Sequence, residues 1–176
     1  METLVMYYSL TGRTRYEATR IAESENAELY EVREQRHRKM ANAYLFGPSQ
    51  ARARRFVYIE PIAIDLEEFD KIIIACPVWG GYPAPAFNNI VSELPPEKEV
   101  EIVLTSDSGK SKAKVETITL VEMQGVHVSD YRVIKTEDLH KRDIRHAKRA
   151  KAEAKQKKKL EKQGKLPKDS SAEQED

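Results

Sequence analysis

Apolar runs and amphipathic segments alternate along the first 135 residues of the chain. Continuous or alternating apolar patterns predict five strands, at residues 4–8, 28–32, 71–76, 100–104 and 126–134. Between them, apolar positions at helical spacing predict helices at 14–22, within 83–94 and at 114–124. Strands that alternate with helices form right-handed crossovers and a parallel sheet covered on both faces. The pattern therefore predicts an α/β fold with a doubly wound, five-stranded parallel sheet of order 2-1-3-4-5.

A long connection, residues 33–70, interrupts this alternation. Its basic residues form two clusters, Arg33, Arg36, Arg38 and Lys39 in the first and Arg52, Arg54 and Arg55 in the second. A short helix is predicted at 41–46, with a break at Gly47-Pro48. Connections of this length are usually functional or contain structure of their own. The arginine clusters would suit the phosphates of a nicotinamide cofactor.

Charge is segregated near the C-terminus. Residues 1–140 carry 17 basic and 22 acidic side chains, residues 141–168 carry 13 basic and three acidic ones, and the last eight residues carry four acids. This composition predicts a domain at 1–140 and a Lys-rich tail at 141–176 that is helical or disordered. Thr136 is a candidate cap for a tail helix whose first turns would pack on the sheet. Besides being solvated, such a tail can bind RNA, an acidic protein or anionic lipid electrostatically.

Outside the strand-end loops, few residues suggest chemistry. Cys76 is the single cysteine, so no internal disulfide can form, and its position at the end of an apolar run predicts a small core residue. The four histidines lack metal-ligand spacing and no catalytic constellation is evident, so no metal ligand and no catalytic residue is predicted. We expect no signal peptide, no membrane span and a cytoplasmic location.

The first candidate site follows the first strand and opens a helix. It consists of Ser9, Leu10, Thr11, Gly12, Arg13 and Thr14. A helix N-terminus holds phosphate through its backbone N–H groups and the positive end of its dipole. Hydroxyl groups add donors, glycine allows close approach and arginine supplies charge. An ordinary strand-to-helix turn uses similar residues at its cap, so this loop by itself leaves both interpretations open.

Two further loops follow the third and fourth predicted strands. The second loop consists of Pro77, Val78, Trp79, Gly80, Gly81 and Tyr82, and the third contains Ser106, Asp107, Ser108 and Gly109. A flat aromatic ligand can stack on Trp79 or Tyr82 while backbone amides near the two glycines meet its polar edge. Because all three loops leave the carboxyl ends of parallel strands, we expect them to meet in one binding crevice.

These loops resemble those of the flavodoxin-like family, in particular its short bacterial members, over residues 3–135. The loop from Ser9 to Thr14 resembles the family's S/T-x-T-G-x-T phosphate loop, and the loop from Pro77 to Tyr82 resembles its tryptophan loop. The resemblance implies that the first loop holds the phosphate of flavin mononucleotide (FMN), that the second flanks the isoalloxazine ring, and that Ser106 to Gly109 lie on its pyrimidine side. The third loop lacks the aromatic residue that often covers the outer face of the ring in this family.

The resemblance implies a flavodoxin-like electron-transfer protein with FMN as its cofactor and a redox protein as its partner. One alternative is an NAD(P)H-dependent, FMN-containing reductase of quinones or flavins. The arginine clusters at 33–39 and 52–55 suggest this alternative. Another is an adaptor that keeps the fold and binds an acidic partner through its basic tail. The sequence favours an electron carrier and leaves open whether the protein is an enzyme.

Overall fold

A five-stranded parallel sheet organises the chain. The computed structural model describes residues 2–137; the predicted tail helix and the expected boundary at residue 140 lie outside them. The strands are β1 (Thr3–Tyr7), β2 (Glu28–Glu31), β3 (Lys71–Trp79), β4 (Tyr82–Pro83), β5 (Glu99–Ser106) and β6 (His127–Lys135). The sheet runs β2-β1-β3-β5-β6 with every neighbouring pair parallel. The two-residue strand β4 pairs only with the end of β3. The predicted order 2-1-3-4-5 of the five main strands is thereby confirmed.

Helices cover both faces of this sheet. They are α1 (Arg13–Glu25), α2 (Met40–Arg52), α3 (Ala86–Ser92) and α4 (Lys114–Glu122), with a single 3-10 turn at Leu66–Glu68. Within residues 2–137, no helix is long and apolar enough to cross a membrane.

The core is divided between the two faces because side chains alternate along each strand. One cluster contains Met6, Ile74 and Leu104, together with Phe87 and Ile90 of α3. The opposite cluster is smaller and packs five apolar side chains of β1, β3 and β5 against Ala18 and Ala22 of α1. Full burial of one large apolar side chain contributes about 1.5–3 kcal/mol, so the central strands are the main source of stability.

Helix α2 departs from the sequence prediction. The expected helix at 41–46 is present, but the expected break at Gly47-Pro48 is wrong, because α2 runs through both residues to Arg52. Gly47 is buried at the helix surface that meets Trp79: a Cβ atom added to it would lie 2.8 Å from Trp79 Cε3. Packing of this helix against Trp79 therefore overrides the local preference for a break.

Strand β3 is also longer than its apolar run. It continues through Pro77 and Val78 to Trp79 and returns in β4 as a tight hairpin. Gly80 and Gly81 form the turn with φ of 63° and 99°, and positive φ at both central residues is what such a two-residue turn requires. Part of the predicted tryptophan loop is therefore rigid strand, which fixes the direction of its side chains.

Candidate functional site

A cleft opens at the carboxyl ends of β1, β3 and β5. Its walls come from the loops that follow these strands and from helix α2, which lies across one side. The lining residues are Leu10, Thr11, Arg13, Thr14, Met40, Ala43, Tyr44, Pro48, Pro77, Val78, Trp79, Gly80, Thr105, Ser106, Asp107 and Thr136. All three predicted loops contribute residues to this cleft, as expected from their positions at the carboxyl ends of the strands.

The structure brings ten of the sixteen predicted site residues into this lining and leaves six outside it. The ten are Leu10, Thr11, Arg13, Thr14, Pro77, Val78, Trp79, Gly80, Ser106 and Asp107. The six are Ser9, Gly12, Gly81, Tyr82, Ser108 and Gly109. Several of the six shape the loops instead. The carbonyl of Gly81, for example, accepts hydrogen bonds from the Lys112 N–H at 2.8 Å and the Ser111 hydroxyl at 3.0 Å, which ties the hairpin to the third loop.

The first loop presents an uncapped helix end to the cleft. Gly12, the residue before α1, has φ of 83° and no side chain caps the helix. The Gly12 N–H donates to Ser9 Oγ at 3.1 Å, which closes the loop on itself. The N–H groups of the first helical turn have no carbonyl one turn earlier to receive them, so this end of α1 favours an anion.

Two side-chain contacts join the first loop to the third. Arg13 forms an ion pair with Asp107. Beneath it, the hydroxyls of Thr14 and Thr105 share a buried hydrogen bond of 2.8 Å. Arg13 keeps a cationic group beside the end of α1, whereas Thr14 ties that end to β5. Thr14 is therefore part of the cleft floor and is held by the protein itself.

Trp79 is fixed on several sides. The ring of Tyr8 meets it edge-on, with centroids 6.0 Å apart and planes inclined at 74°. The guanidinium of Arg38 lies 5.4 Å from the centroid of the Trp79 ring, and Gly47 of α2 contacts its six-membered ring. A tryptophan supported in this way is a preorganised wall for a ligand in the cleft.

Arg38 is itself held by a network that joins the first basic cluster to β1. Its Nε donates to Glu34 Oε1 at 2.9 Å, and Nη1 donates to Gln50 Oε1 at 2.8 Å. The Tyr8 hydroxyl donates to the same Glu34 oxygen at 2.7 Å. Burial and the neighbouring Glu34 carboxylate both raise the pKa of Tyr8 well above its ordinary value, so Tyr8 remains a hydrogen-bond donor at neutral pH.

Helix α2 supplies a cleft wall that sequence reasoning missed. Met40, Tyr44 and Pro48 recur every four residues along it and line the cleft. Tyr44 is 75% exposed, which is unusual for a large aromatic side chain beside a cavity. The spacing of these three residues was a usable signal, but the assumed break at Gly47-Pro48 concealed it.

The cleft is small and has two chemically different ends. Its volume is about 210 Å³, below the roughly 300–1,000 Å³ of pockets that enclose a drug-sized ligand. A ligand held here would keep part of its surface in solvent. The end at α1 offers N–H groups and a cation, and the end between β3 and α2 offers apolar and aromatic side chains.

Cys76 lies under the cleft but is no part of its lining. Its side chain is fully buried, and its Sγ lies 3.9 Å from the Ala84 carbonyl oxygen. Burial raises the pKa of the Cys76 thiol well above its ordinary value, so the sulfur stays protonated and unreactive at neutral pH. This agrees with the predicted core role.

Solved structures with the same fold are flavoproteins. A flavoprotein from Lactobacillus acidophilus NCFM, crystallised in complex with FMN, matches with a TM-score of 0.64 and 26% identity over 75% of this chain and 92% of that chain. The apo-form of the flavoprotein from Lactobacillus acidophilus NCFM, solved by NMR, matches with a TM-score of 0.58 and 27% identity over 74% and 91%. A structure from Bacteroides eggerthii DSM 20697, described as a flavoprotein, has a TM-score of 0.62 at 19% identity over 78% and 90%, a level that speaks for the fold alone.

These matches agree with the fold described above. No protein-family model matches the sequence, and comparison with curated proteins gives no match. On its topology and its structural neighbours, the chain has a flavodoxin-like fold.

Proposed function

We propose that this protein binds FMN in the cleft and uses it to transfer electrons. The observation that carries the proposal is the meeting of an uncapped helix end and an aromatic wall in one small cleft. FMN carries a phosphate at one end and a flat ring system at the other, so its two chemical parts match the two ends of the cleft. The neighbour crystallised with FMN supports the same cofactor.

The end of α1 would hold the phosphate. Backbone N–H groups of its first turn point towards the cleft end of the helix, and the helix dipole favours the negative charge. Arg13 adds a cation there, because its ion pair with Asp107 keeps it beside the loop. Thr11 lines the same end and supplies a hydroxyl.

The ring would lie between the β3 hairpin and α2. Trp79 and Val78 form one side, and Met40 and Tyr44 form the other. Aromatic side chains gain about 0.5–1.5 kcal/mol from a well-placed stacking contact beyond simple burial. Tyr44 would then take the place of the aromatic residue that the third loop lacks.

Bound FMN supplies reversible one- and two-electron redox chemistry. The protein's part is to hold the cofactor, exclude water from one side and leave an edge of the ring accessible from the cleft mouth. Within residues 2–137, no group of three His, Cys, Asp or Glu side chains is placed to hold a metal ion. A held cofactor with an accessible edge is all that an electron carrier needs, since it has no second substrate to bind.

Calorimetry with FMN and riboflavin tests the binding half of the proposal. We expect one FMN per chain and at least tenfold weaker binding of riboflavin, which lacks the phosphate. Arg13→Ala should weaken FMN binding and leave riboflavin binding nearly unchanged, because only the phosphate meets Arg13. Arg20→Ala is the matched control, since Arg20 lies further along α1 and pairs with Glu17. Equal affinity for the two flavins would contradict the assigned phosphate end.

Spectroelectrochemical titration of the FMN-loaded protein tests the electron-transfer half. We expect reversible reduction at a midpoint potential that differs from that of free FMN, because the aromatic walls and nearby charges stabilise the oxidation states unequally. A potential identical to that of free FMN would count against a tuned carrier.

A reductase is the second candidate, favoured by two exposed arginines of the second basic cluster. Arg52 and Arg55 are exposed, and among the described residues neither forms an ion pair. Such groups suit the phosphates of NAD(P)H. Turnover of NAD(P)H by the FMN-loaded protein that is lost in Arg52→Ala or Arg55→Ala would support this candidate. No oxidation of either nucleotide with quinone or flavin acceptors would exclude it.

The third candidate, an adaptor that binds an acidic partner or RNA through residues 141–176, rests on sequence alone. Those residues lie outside the part of the chain that the structure describes. This candidate stays a prediction. It is based on the 13 basic and three acidic side chains at 141–168.

A further inference from the structure

The segment that carries α2 differs in charge from the rest of the described chain. Residues 33–60 contain seven basic and two acidic side chains, whereas the remainder of residues 2–137 contains ten basic and 19 acidic ones. A positive surface is therefore set into a negative body. Within residues 2–137, charge would therefore guide a partner to turn its own negative side towards residues 33–60.

Exposed aromatic side chains accompany this positive charge. Phe46, Phe56 and Tyr58 are 56%, 63% and 85% exposed. Phe56 and Tyr58 line one open hollow with Arg36, and Phe46 lines a second hollow with Arg36 and Lys39. The two hollows share Arg36, so these five residues form one continuous surface, here called the α2 patch. Large apolar side chains exposed near one another and rimmed by charged residues indicate an interaction site.

The cations of the α2 patch are available to a partner. Arg36 and Lys39 are both exposed, and within residues 2–137 neither forms an ion pair. The acidic residue beside them, Glu34, is 12% exposed and is already bonded to Arg38 and Tyr8. The local acid is thus neutralised inside the protein, and the outward charge of the patch is positive.

The patch adjoins the cleft. Arg38 separates the two: it lines both hollows on one side and contacts Trp79 of the cleft wall on the other, 5.4 Å from the ring centroid. Tyr44 of α2 lines the cleft and is 75% exposed, so apolar surface continues along the helix to the cleft mouth. A protein seated on the patch would stand about one side chain away from the proposed flavin site.

We propose that the α2 patch is the docking surface for an acidic one-electron redox protein. The proposal rests on the FMN-binding function proposed above. Aromatic residues and arginine are the side chains most enriched in protein interfaces, and complementary charge raises the rate at which such short-lived complexes form. In the complex one electron passes between the partner's centre and the bound flavin. One centre is oxidised by one electron as the other is reduced, no covalent bond forms between the proteins, and any proton taken up by the flavin comes from water.

Binding of a known acidic redox protein tests this surface. The probe is a plant-type [2Fe–2S] ferredoxin, and basic cytochrome c is the opposite-charge comparison. The full-length chain is used with and without FMN. We expect ferredoxin to bind in a salt-sensitive manner, and Arg36→Ala/Lys39→Ala to weaken binding about fivefold to tenfold. Phe56→Ser/Tyr58→Ser should weaken it by a similar factor. The rate at which reduced ferredoxin reduces the FMN-loaded protein should fall in parallel.

The control variant Arg20→Ala/Lys98→Ala removes the same charge elsewhere. Arg20 pairs with Glu17 on α1, and Lys98 contacts Glu67 at the amino end of β5, away from the cleft. This variant should bind ferredoxin within about twofold of the unmodified chain. Because every variant keeps residues 138–176, any attraction of ferredoxin to the basic tail is common to all of them.

Several results would overturn the proposal. Unchanged ferredoxin affinity in both patch variants would do so, as would tighter binding of cytochrome c than of ferredoxin. Single-stranded RNA binding that is lost in Arg36→Ala/Lys39→Ala while ferredoxin binding is kept would make the patch a nucleic-acid site instead. FMN titration of each variant separates the two proposals: a chain that binds ferredoxin through the patch but takes up no FMN retains the docking surface and refutes the function.

Discussion

The guanidinium carbon of Arg38 lies 5.4 Å from the centroid of the Trp79 ring. This contact joins a residue of the long connection 33–70 to the end of the central strand β3. Arg38 is 10% exposed and is held by Glu34 and Gln50, so the tryptophan is backed by a charge with a fixed position. A guanidinium over an aromatic face contributes about 0.5–2 kcal/mol, with the higher values in desolvated sites. The connection is thereby part of the site.

Replacing Arg38 tests this support. Arg38→Met keeps much of the side-chain volume but leaves the negative charge of Glu34 with only the Tyr8 hydroxyl as a side-chain donor among residues 2–137. Loss of one partner from a nearly buried ion pair costs about 3–5 kcal/mol. We expect denaturant unfolding to show a loss of unfolding free energy at the lower end of this range. FMN titration should show weaker binding. Arg33→Met is the control, since Arg33 is exposed and pairs with Glu31 elsewhere. Equal stability of the two variants would show that the Arg38 network contributes little.

Gly47 provides a test in which the usual helix rule reverses. Gly to Ala inside a helix normally stabilises by about 0.5–1 kcal/mol, but here the new Cβ would lie 2.8 Å from Trp79 Cε3. We expect Gly47→Ala to destabilise by about 1–3 kcal/mol, the usual cost of overpacking, and to shift Trp79 emission. Ser49→Ala, at an exposed position of the same helix, should leave both quantities nearly unchanged. A stabilised Gly47→Ala protein would contradict the described contact.

Tyr44 and Leu45 form a matched pair on α2. They are 75% and 72% exposed, but only Tyr44 lines the cleft. If Tyr44 covers the outer face of the ring, Tyr44→Ala should weaken FMN binding about fivefold to tenfold, the equivalent of one aromatic contact. Leu45→Ala should change the dissociation constant by less than twofold. Similar losses in both variants would indicate a general effect on the helix.

The ion pairs of Glu101 should make the free energy of unfolding depend on pH. Burial opposes its ionisation, but hydrogen bonds from Lys71 and Arg132 outweigh burial and lower the pKa of the Glu101 carboxyl. Its folded-state pKa is thus below the ordinary value of about 4.3. The stability it contributes is therefore complete above that value and is lost as the pH falls through the folded-state pKa. Lys71 Nζ lies 2.5 Å from Glu101 Oε1, and Arg132 Nη1 lies 2.7 Å from Oε2.

Denaturant titrations of Glu101→Gln across pH measure this contribution. At pH 7 we expect the variant to be about 2–4 kcal/mol less stable than the unmodified protein, since Lys71 loses its nearest carboxylate. The difference should shrink as the pH falls below the ordinary glutamate value, because the unmodified protein then loses its own charge pair. Glu99→Gln, which removes the charge of another glutamate on the same strand, is the control. A difference that stays constant from pH 7 to pH 3 would refute the assignment.

Local patterns predicted the sheet because its strands are buried apolar runs. Residues 71–76 gave the central strand, and the glycine-containing loop after β1 gave the helix end at Arg13. The wall from α2 was missed because Gly47-Pro48 disfavours a helix in isolation. Contacts with residues distant in sequence favour that helix, among them the ring of Trp79, some 30 residues away along the chain. Such a contact has no local sequence signal.

The Tyr8–Glu34–Arg38 network was unpredictable for a similar reason. Tyr8 and Glu34 are 26 residues apart, and no periodicity relates a strand-end tyrosine to a glutamate in an irregular connection. The arginines were recognised only as clusters. In the structure they separate by role: Arg38 is turned inward to Trp79, whereas Arg36 lies on the exposed α2 patch.

Trp79 is the single tryptophan of the chain and lines the cleft, so its fluorescence reports on the proposed cofactor site alone. Titration of the purified, flavin-free protein with FMN should quench Trp79 emission in a saturable manner that ends at one FMN per chain, and riboflavin should require a higher concentration. Trp79 emission that does not change while calorimetry records FMN binding would place the cofactor elsewhere and contradict the account.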